Sequence, residues 1–228
     1  MFFDRLLDLI FPPRCLSCQK NLGCGVICDD CLSKIKINQT LFCGKCGARL
    51  PQPKKICHKN FPYLLGAATN YENEIAKNLI HSLKFQYIKA AAQPLGNLLI
   101  QYTEALSLPL KNFIVIPIPL SKKRLRGRGF NQAELIAKIF AEHFELPPET
   151  NLLVRTKNAK PQSEIKNLKE RLLNVKDCFA VINQESVASK NILLIDDVIT
   201  SGATLLEATA ALKNAGARKI IALAVAKA

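Results

Sequence analysis

The chain has 228 residues, 49% hydrophobic and 22% charged, a balance that argues against disorder over any long stretch. That length leaves room for one ordinary core plus a small appendage, since domains cluster near roughly 100 to 150 residues. The formal net charge of +14, from 32 Lys and Arg against 18 Asp and Glu spread along the chain, disfavours cationic partners and favours polyanions such as nucleic acid, phosphorylated metabolites or an acidic membrane face.

The first segment, MFFDRLLDLIFPPRC, places Phe2, Phe3, Leu6, Leu7 and Ile10 on one helical face, suited to packing on a neighbouring domain or to docking at a membrane surface. Asp4, Arg5 and Asp8 interrupt it and no small-residue cleavage site follows, so it does not read as a secretory signal. No apolar run approaches the roughly 18 residues that span a bilayer. The expected location is therefore the cytoplasm, where cysteines stay reduced and available to metal.

Eight of the nine cysteines lie between Cys15 and Cys57, and six of them fall in C-x-x-C pairs: Cys15 with Cys18, Cys28 with Cys31, Cys43 with Cys46. Two intervening residues let both sulfurs of a pair point at one ion about 2.3 Å away, and two pairs complete a tetrahedral thiolate site, for which zinc is the natural ion. The second pair, in ICDDCLSKI, reads as the first turn of a helix, and the other two as tight knuckle turns. Cys15, Cys18, Cys28 and Cys31 make a first site by spacing. A second site needs Cys43, Cys46, Cys57 and one more ligand; His58 adjoins Cys57, and that adjacency implies strained geometry if both ligate, so its occupancy is left open. Cys24 belongs to no pair and reads as an exposed spectator. The expected role of the metal is structural, because so small a module lacks the apolar area to fold alone. This module is expected to occupy residues 1–64, with a second domain over 65–228.

From about residue 66 strand-like runs alternate with helix-period segments, the pattern of an α/β fold with a doubly wound, mostly parallel sheet. YENEIAKNLIHSLKF and AAQPLGNLLIQYTEAL read as helices, and NFIVIPIP as a buried strand closed by two prolines. In NQAELIAKIFAEHF, Ala133, Ile136, Ala137, Phe140 and Phe144 share a helical face, and Asn131 with Glu134 forms a capping pair. FAVI and NILLI are two more strands, a helix runs from about Ala203 to Asn214 until Gly216 stops it, and KIIALAVA is the last strand.

In ILLIDDVITSGAT a strand buried on both faces delivers Asp196 and Asp197 at its C-terminal end, where open α/β sheets bind ligands. The next turn, Thr200, Ser201, Gly202, Ala203 and Thr204, leads into a helix N-terminus, whose unpaired N–H groups and dipole attract phosphate. Carboxylates beside an anion cup repel unless the ligand puts something between them, and a sugar does so: ribose hydroxyls donate to the acids while a 5-phosphate reaches the cup. Negative charge under the ribose also suits cationic character at its anomeric carbon. The magnesium strand of a P-loop ATPase is excluded, since no G-x-x-x-x-G-K-[ST] occurs in the chain.

ILLIDDVITSGATL resembles the phosphoribosyl-pyrophosphate signature of type I phosphoribosyltransferases. HSLKF, IPIPLSKKRLRGRGFNQAELIA, LVRTKNAKPQS with KERLLNVKDCF, and the cysteine-rich start resemble the ComF competence protein family throughout. The resemblance implies a double zinc ribbon joined to a phosphoribosyltransferase-like domain, with Asp196 and Asp197 as the catalytic acidic pair on the ribose hydroxyls and Thr200–Thr204 around the 5-phosphate. It implies pyrophosphate at the segment after the FIVIPIP strand, with Ser121, Lys122, Lys123, Arg124, Arg126 and Arg128 as the nearest residues, and magnesium bridging pyrophosphate oxygens. It further implies a mobile hood over Arg155–Ser163, carrying Pro161 and Gln162. Around Asn60, where the family carries a ligand of the second zinc, this chain has none.

SKKRLRGRG holds five basic residues in nine positions, and its phosphates belong either to the sugar donor or to a DNA backbone. The function expected from the resemblance is handling of single-stranded DNA during natural transformation, with peripheral contact to the inner membrane or other transformation proteins. An active phosphoribosyltransferase and a ligand sensor without turnover are the rival expectations. The basic field supports DNA binding, whereas the absence of Trp and only 7% aromatic residues count against tight strand binding. No residue cluster identifies an acceptor.

Overall fold

The computed structural model describes residues 12–50, 57, 58, 60–156 and 177–228. In chain order these form α1 (Asp29–Leu32), β1 (Leu41–Cys43), β2 (Arg49–Leu50), β3 (Leu64–Asn70), α2 (Glu74–Phe85), a 3-10 turn (Lys89–Ala91), α3 (Ala92–Ala105) and β4 (Phe113–Pro117). There follow α4 (Lys122–Arg128), α5 (Gln132–His143), β5 (Leu153–Arg155), β6 (Phe179–Val181), β7 (Asn191–Ile199), α6 (Ala203–Asn214) and β8 (Lys219–Lys227).

Period-2 burial on both faces of the central strands dictates a layered architecture. Leu193, Ile195, Ile221, Leu223 and Val225 pack with Leu79, Leu83, Leu95, Leu99, Ile136 and Phe140 from α2, α3 and α5. Their alternates Ile192, Leu194, Ile220, Ala222 and Ala224 pack with Leu205, Ala208 and Leu212 of α6. A sheet covered on both sides is the setting in which parallel strands occur, and β3, β8, β7 and β4 are parallel. The order is β2-β1-β3-β8-β7-β4, with β1 antiparallel to both neighbours. The doubly wound α/β reading thus describes the molecule.

Several elements depart from the sequence reading. β3, unassigned from sequence, is built of small residues because its neighbours demand them: a Cβ on Gly66 would sit 2.6 Å from Leu223 Cδ2 and 2.9 Å from Tyr102 Cε1. FAVI is a strand outside the main sheet, pairing antiparallel with β5. The basic segment after β4, to which the sequence reading assigned no element, is the helix α4, begun by the Ser121 hydroxyl accepting from Arg124 N at 3.4 Å and ended by Gly129 at φ +79°. At α5, Asn131 caps by accepting from Ala133 N, while Glu134 pairs with Lys138 at 2.7 Å.

The N-terminal ribbon is bound into the same sheet rather than tethered to it. β1 continues the sheet beyond β3, Tyr102 donates its hydroxyl to Thr40 O at 2.7 Å, and Thr69 Oγ1 donates to Lys36 O at 2.8 Å. The apolar face of Phe2 to Ile10 lies outside the described residues, as does the hood beyond Thr156, including Pro161, Gln162 and Ser163.

Candidate functional site

Two metal centres are formed by side chains that C-x-x-C turns present together. The ligand atoms of Cys15, Cys18, Cys28 and Cys31 all lie within 4.8 Å of one another, with the sulfurs of Cys18 and Cys28 3.7 Å apart. Tetrahedral ligands about 2.3 Å from an ion sit about 3.8 Å from each other, so the cluster fits zinc as it stands. α1 begins directly after Cys28 and carries Cys31, as the ICDDC spacing predicts. Burial works against the Cys15 thiolate, but N–H groups of Cys18, Cys28 and Ser17 outweigh it and bring the thiol down to about 6. The Cys31 thiol is pushed up to about 12 by burial and by its sulfur neighbours. Four sulfurs this close resist full ionisation unless a dication shares the site.

The second tetrad is complete, which corrects the expected shortfall. Cys43, Cys46, Cys57 and His58 place their ligand atoms within 4.8 Å of one another, with His58 Nδ1 3.3 Å from Cys43 Sγ and Cys57 Sγ 3.7 Å from Cys46 Sγ. In an extended chain adjacent side chains diverge, but Cys57 and His58 occupy a bend and converge on one point. Cys24 is exposed and outside both tetrads.

The second feature is a cleft of about 550 Å3 at the C-terminal end of the parallel sheet. It exists because β4 ends at Pro117, paired with Ile195, while β7 runs on to Ile199 along β8. Asp196 and Asp197 lie just past the end of β4, and both line the cleft. Asp197, 2% exposed, forms an ion pair with Lys84 and accepts from Gln132 Nε2 at 3.4 Å. Asp196 Oδ1 accepts from Asp197 N at 2.9 Å. Burial, then the adjacent Asp197 carboxylate, push the Asp196 carboxyl well above the usual carboxylate range. Burial opposes the ionisation of Asp197 too, but the Lys84 ammonium and hydrogen bonds from Asp196, Lys84 and Gln132 win and hold it below that range. One acid is thus poised to carry charge and the other to carry a proton.

Thr200, Ser201, Gly202, Ala203 and Thr204 all line the same cleft. Gly202 is the N-cap of α6 at φ +73° and offers no side-chain cap, while the neighbouring Ser201 hydroxyl accepts from Ala203 N at 3.4 Å. Replacing Gly202 by alanine adds left-handed strain of about 1–2 kcal/mol and brings a Cβ to 3.2 Å from the Tyr63 hydroxyl. A lowered thermal midpoint, with weaker binding of inorganic phosphate by calorimetry, is the expected result. Of the six basic-segment candidates, Arg124 and Arg128 line the cleft, four apart on one face of α4. Ser121 is buried as the α4 cap, and Lys122, Lys123 and Arg126 are exposed outside the cleft lining.

Lys84, Phe85, Tyr87 and Gln132 also line the cleft, and sequence reasoning gave none of them a role. Lys84 and Phe85 sit in the HSLKF motif, whose lysine among apolar residues at a helix end was the available signal. Gln132 follows the Asn131 cap and bridges α5 to the acidic pair, accepting from Arg128 as it donates to Asp197. Tyr63 is a further residue of the site by contact: its ring lies 4.9 Å from Phe61, both rings press on Gly44 of the second metal knuckle, and its hydroxyl lies against Gly202.

Comparison with known proteins agrees with both parts of this geometry. A double zinc ribbon domain matches residues 6–60 and a phosphoribosyl transferase domain matches residues 131–228. Competence protein F of Haemophilus influenzae is 29% identical over 228 residues, spanning 94% of this chain and 97% of that protein. DNA utilization protein YhgH of Escherichia coli is 27% identical over 225 residues, spanning 93% of this chain and 96% of its own length. Competence protein ComFC of Bacillus subtilis is 42% identical over 97 residues, covering 42% of this chain and 37% of that protein.

Proposed function

Because the chain belongs to the ComF competence protein family, a double zinc ribbon followed by a phosphoribosyltransferase-type domain, we propose that it binds phosphoribosyl pyrophosphate with magnesium and handles single-stranded DNA during natural transformation. One observation carries the first half. The acidic pair, the Thr200–Thr204 turn and two arginines of α4 open onto one cleft, as a sugar carrying phosphate at one end and pyrophosphate at the other requires. Asp196 and Asp197 accept from the ribose hydroxyls, the turn holds the 5-phosphate, and Arg124 and Arg128 face the pyrophosphate. Magnesium would sit on the side of the cleft that Asp197 lines and would supply neutralisation of the leaving group. The chain's own residues orient the sugar and place negative charge under its anomeric carbon, which supports transfer to a nucleophile as the second reading.

The DNA half is supported by the names of the relatives and by the +14 charge, whose field attracts phosphate backbones. Residues 1–64 form the zinc module and 65–228 the nucleotide-type domain in this reading. No helix among the described residues is long and apolar enough to cross a membrane, and we place the protein in the cytoplasm, in peripheral contact with the inner membrane or with transformation proteins.

Calorimetry with the donor is expected to show binding that requires magnesium, and phosphorus NMR of the same mixture separates turnover, seen as pyrophosphate release, from sensing. Gel shifts are expected to show single strands retained at low salt and released as salt rises. Donor binding indifferent to magnesium, or strands that run free at low salt, would remove the corresponding half of the reading.

A further inference from the structure

Four large apolar side chains are exposed among the described residues, and two of them, Phe85 at 60% and Tyr87 at 54%, line the cleft. Solvent-facing aromatics two residues apart call for an explanation, since the ring partner of Phe85 is the exposed His81, with centroids 4.9 Å apart. Tyr87 follows the α2 C-cap Gln86 and has φ +60°, the left-handed position that helices normally end on with glycine. Among the described residues it is the one aromatic of the seven non-glycine residues with positive φ, and for a bulky side chain that conformation is uncommon. The Ser82 carbonyl, accepting from both Gln86 N and Ile88 N, fixes the turn.

The surroundings say what the rings face. The Arg128 guanidinium lies 5.9 Å from the Phe85 ring centroid and lines the same cleft as Tyr87 and Asp197. Arg124 lines the same wall one helical turn away. An apolar partner seated on these rings would strip water from two arginines and give nothing back. A flat, polarisable ring attached to a phosphodiester satisfies both groups at once, with its π-face on the aromatics and its phosphate on the guanidinium groups.

We infer that Phe85 and Tyr87 form a stacking platform for an unpaired nucleobase of a single DNA strand at the mouth of the donor cleft. The inference rests on the DNA-handling reading above and deepens it by locating a base. Both residues precede Asn131, where the match to the phosphoribosyl transferase domain begins. The platform brings a strand base to the rim of the acidic pair, so the strand and the sugar donor meet in one cleft.

The test uses the full zinc-loaded chain and an oligothymidylate carrying one 2-aminopurine, whose fluorescence is quenched by stacking. Wild type is expected to quench it, while Phe85→Ala with Tyr87→Ala loses the quench and binds roughly 10-fold or more weakly. Phe85→Tyr with Tyr87→Phe is expected to restore both. Because no charge is removed, the salt slope of the alanine pair stays that of wild type, which separates stacking from backbone attraction. Both side chains are exposed, so an unchanged melting curve certifies the fold. Free 2-aminopurine riboside quenched as strongly as the strand-borne base would overturn the strand assignment. An alanine pair that still quenches and binds like wild type overturns the platform while leaving DNA handling intact. Failure of wild type to bind any strand ends both together.

Discussion

Asp197→Ala is expected to weaken magnesium-dependent binding of phosphoribosyl pyrophosphate by about 10-fold or more, the loss of one or two charge-assisted hydrogen bonds at about 1.5–3 kcal/mol each. The residue is the charged member of the acidic pair: it is 2% exposed, paired with Lys84 and hydrogen bonded by Gln132. Its removal leaves the Lys84 ammonium partly buried, at 21% side-chain exposure, without that partner. Breaking a buried pair costs about 3–5 kcal/mol, but here part of that returns, since Lys84 reaches water and can turn to Asp196. A stability loss of about 1–3 kcal/mol is the resulting expectation. Calorimetry reads the first effect and a denaturant curve the second. Donor affinity within a few-fold of wild type would sink the assignment of the pair to the ribose.

The same pair sets a pH signature. Asp196 has its folded pKa raised, so the native state holds a proton that the unfolded chain releases first. Stability contributed by that proton is fully present below the ordinary carboxylate range and is lost as pH rises through the higher folded value. Asp197, depressed in the folded state, contributes stability above the ordinary range, which is lost only as pH falls through its lower folded value. In Asp197→Ala the like charge beside Asp196 is gone and Lys84 is released to it. Both changes bring the Asp196 pKa down, and the loss of stability on raising pH flattens.

Much of this was legible because the long central elements are locally consistent. NILLI and KIIALAVA are apolar on both faces, and the run from acidic pair to hydroxyl turn to helix start has one chemical reading. The illegible parts were short or non-local. β5 has three residues, too few for a period. SKKRLRGRG, with two glycines and five charges, carries the marks of a loop, yet Ser121 caps it and Gly129 ends it as a helix whose Arg124, Gly127 and Arg128 line the cleft. Lys84 and Gln132 meet Asp197 only through packing of α2 and α5 on the sheet, which no local pattern records. His58 is visible in the sequence, but its adjacency to Cys57 implies strain that only the bend at these two residues removes, and no local pattern records that bend.

Loss of the second metal should then be felt at the cleft. His58→Ala is expected to lower bound zinc from two ions to one per chain, since only three ligands of the second tetrad remain, while His58→Cys retains both. Structural zinc supplies apparent binding energies of about 10–16 kcal/mol to small modules, so the ribbon has little order to keep without it. Gly44, inside the Cys43–Cys46 knuckle, is pressed by Phe61 and Tyr63, and the Tyr63 hydroxyl lies against Gly202. A knuckle that opens releases Tyr63, and with it the hydroxyl that backs Gly202 of the anion-binding turn. Metal analysis is therefore expected to show one zinc, the thermal midpoint to fall, and donor affinity to drop several-fold although no donor-binding residue has changed. Two zinc ions retained in His58→Ala would refute His58 as the fourth ligand, whereas one zinc with unaltered donor affinity would leave the ligand in place and break the link through Tyr63.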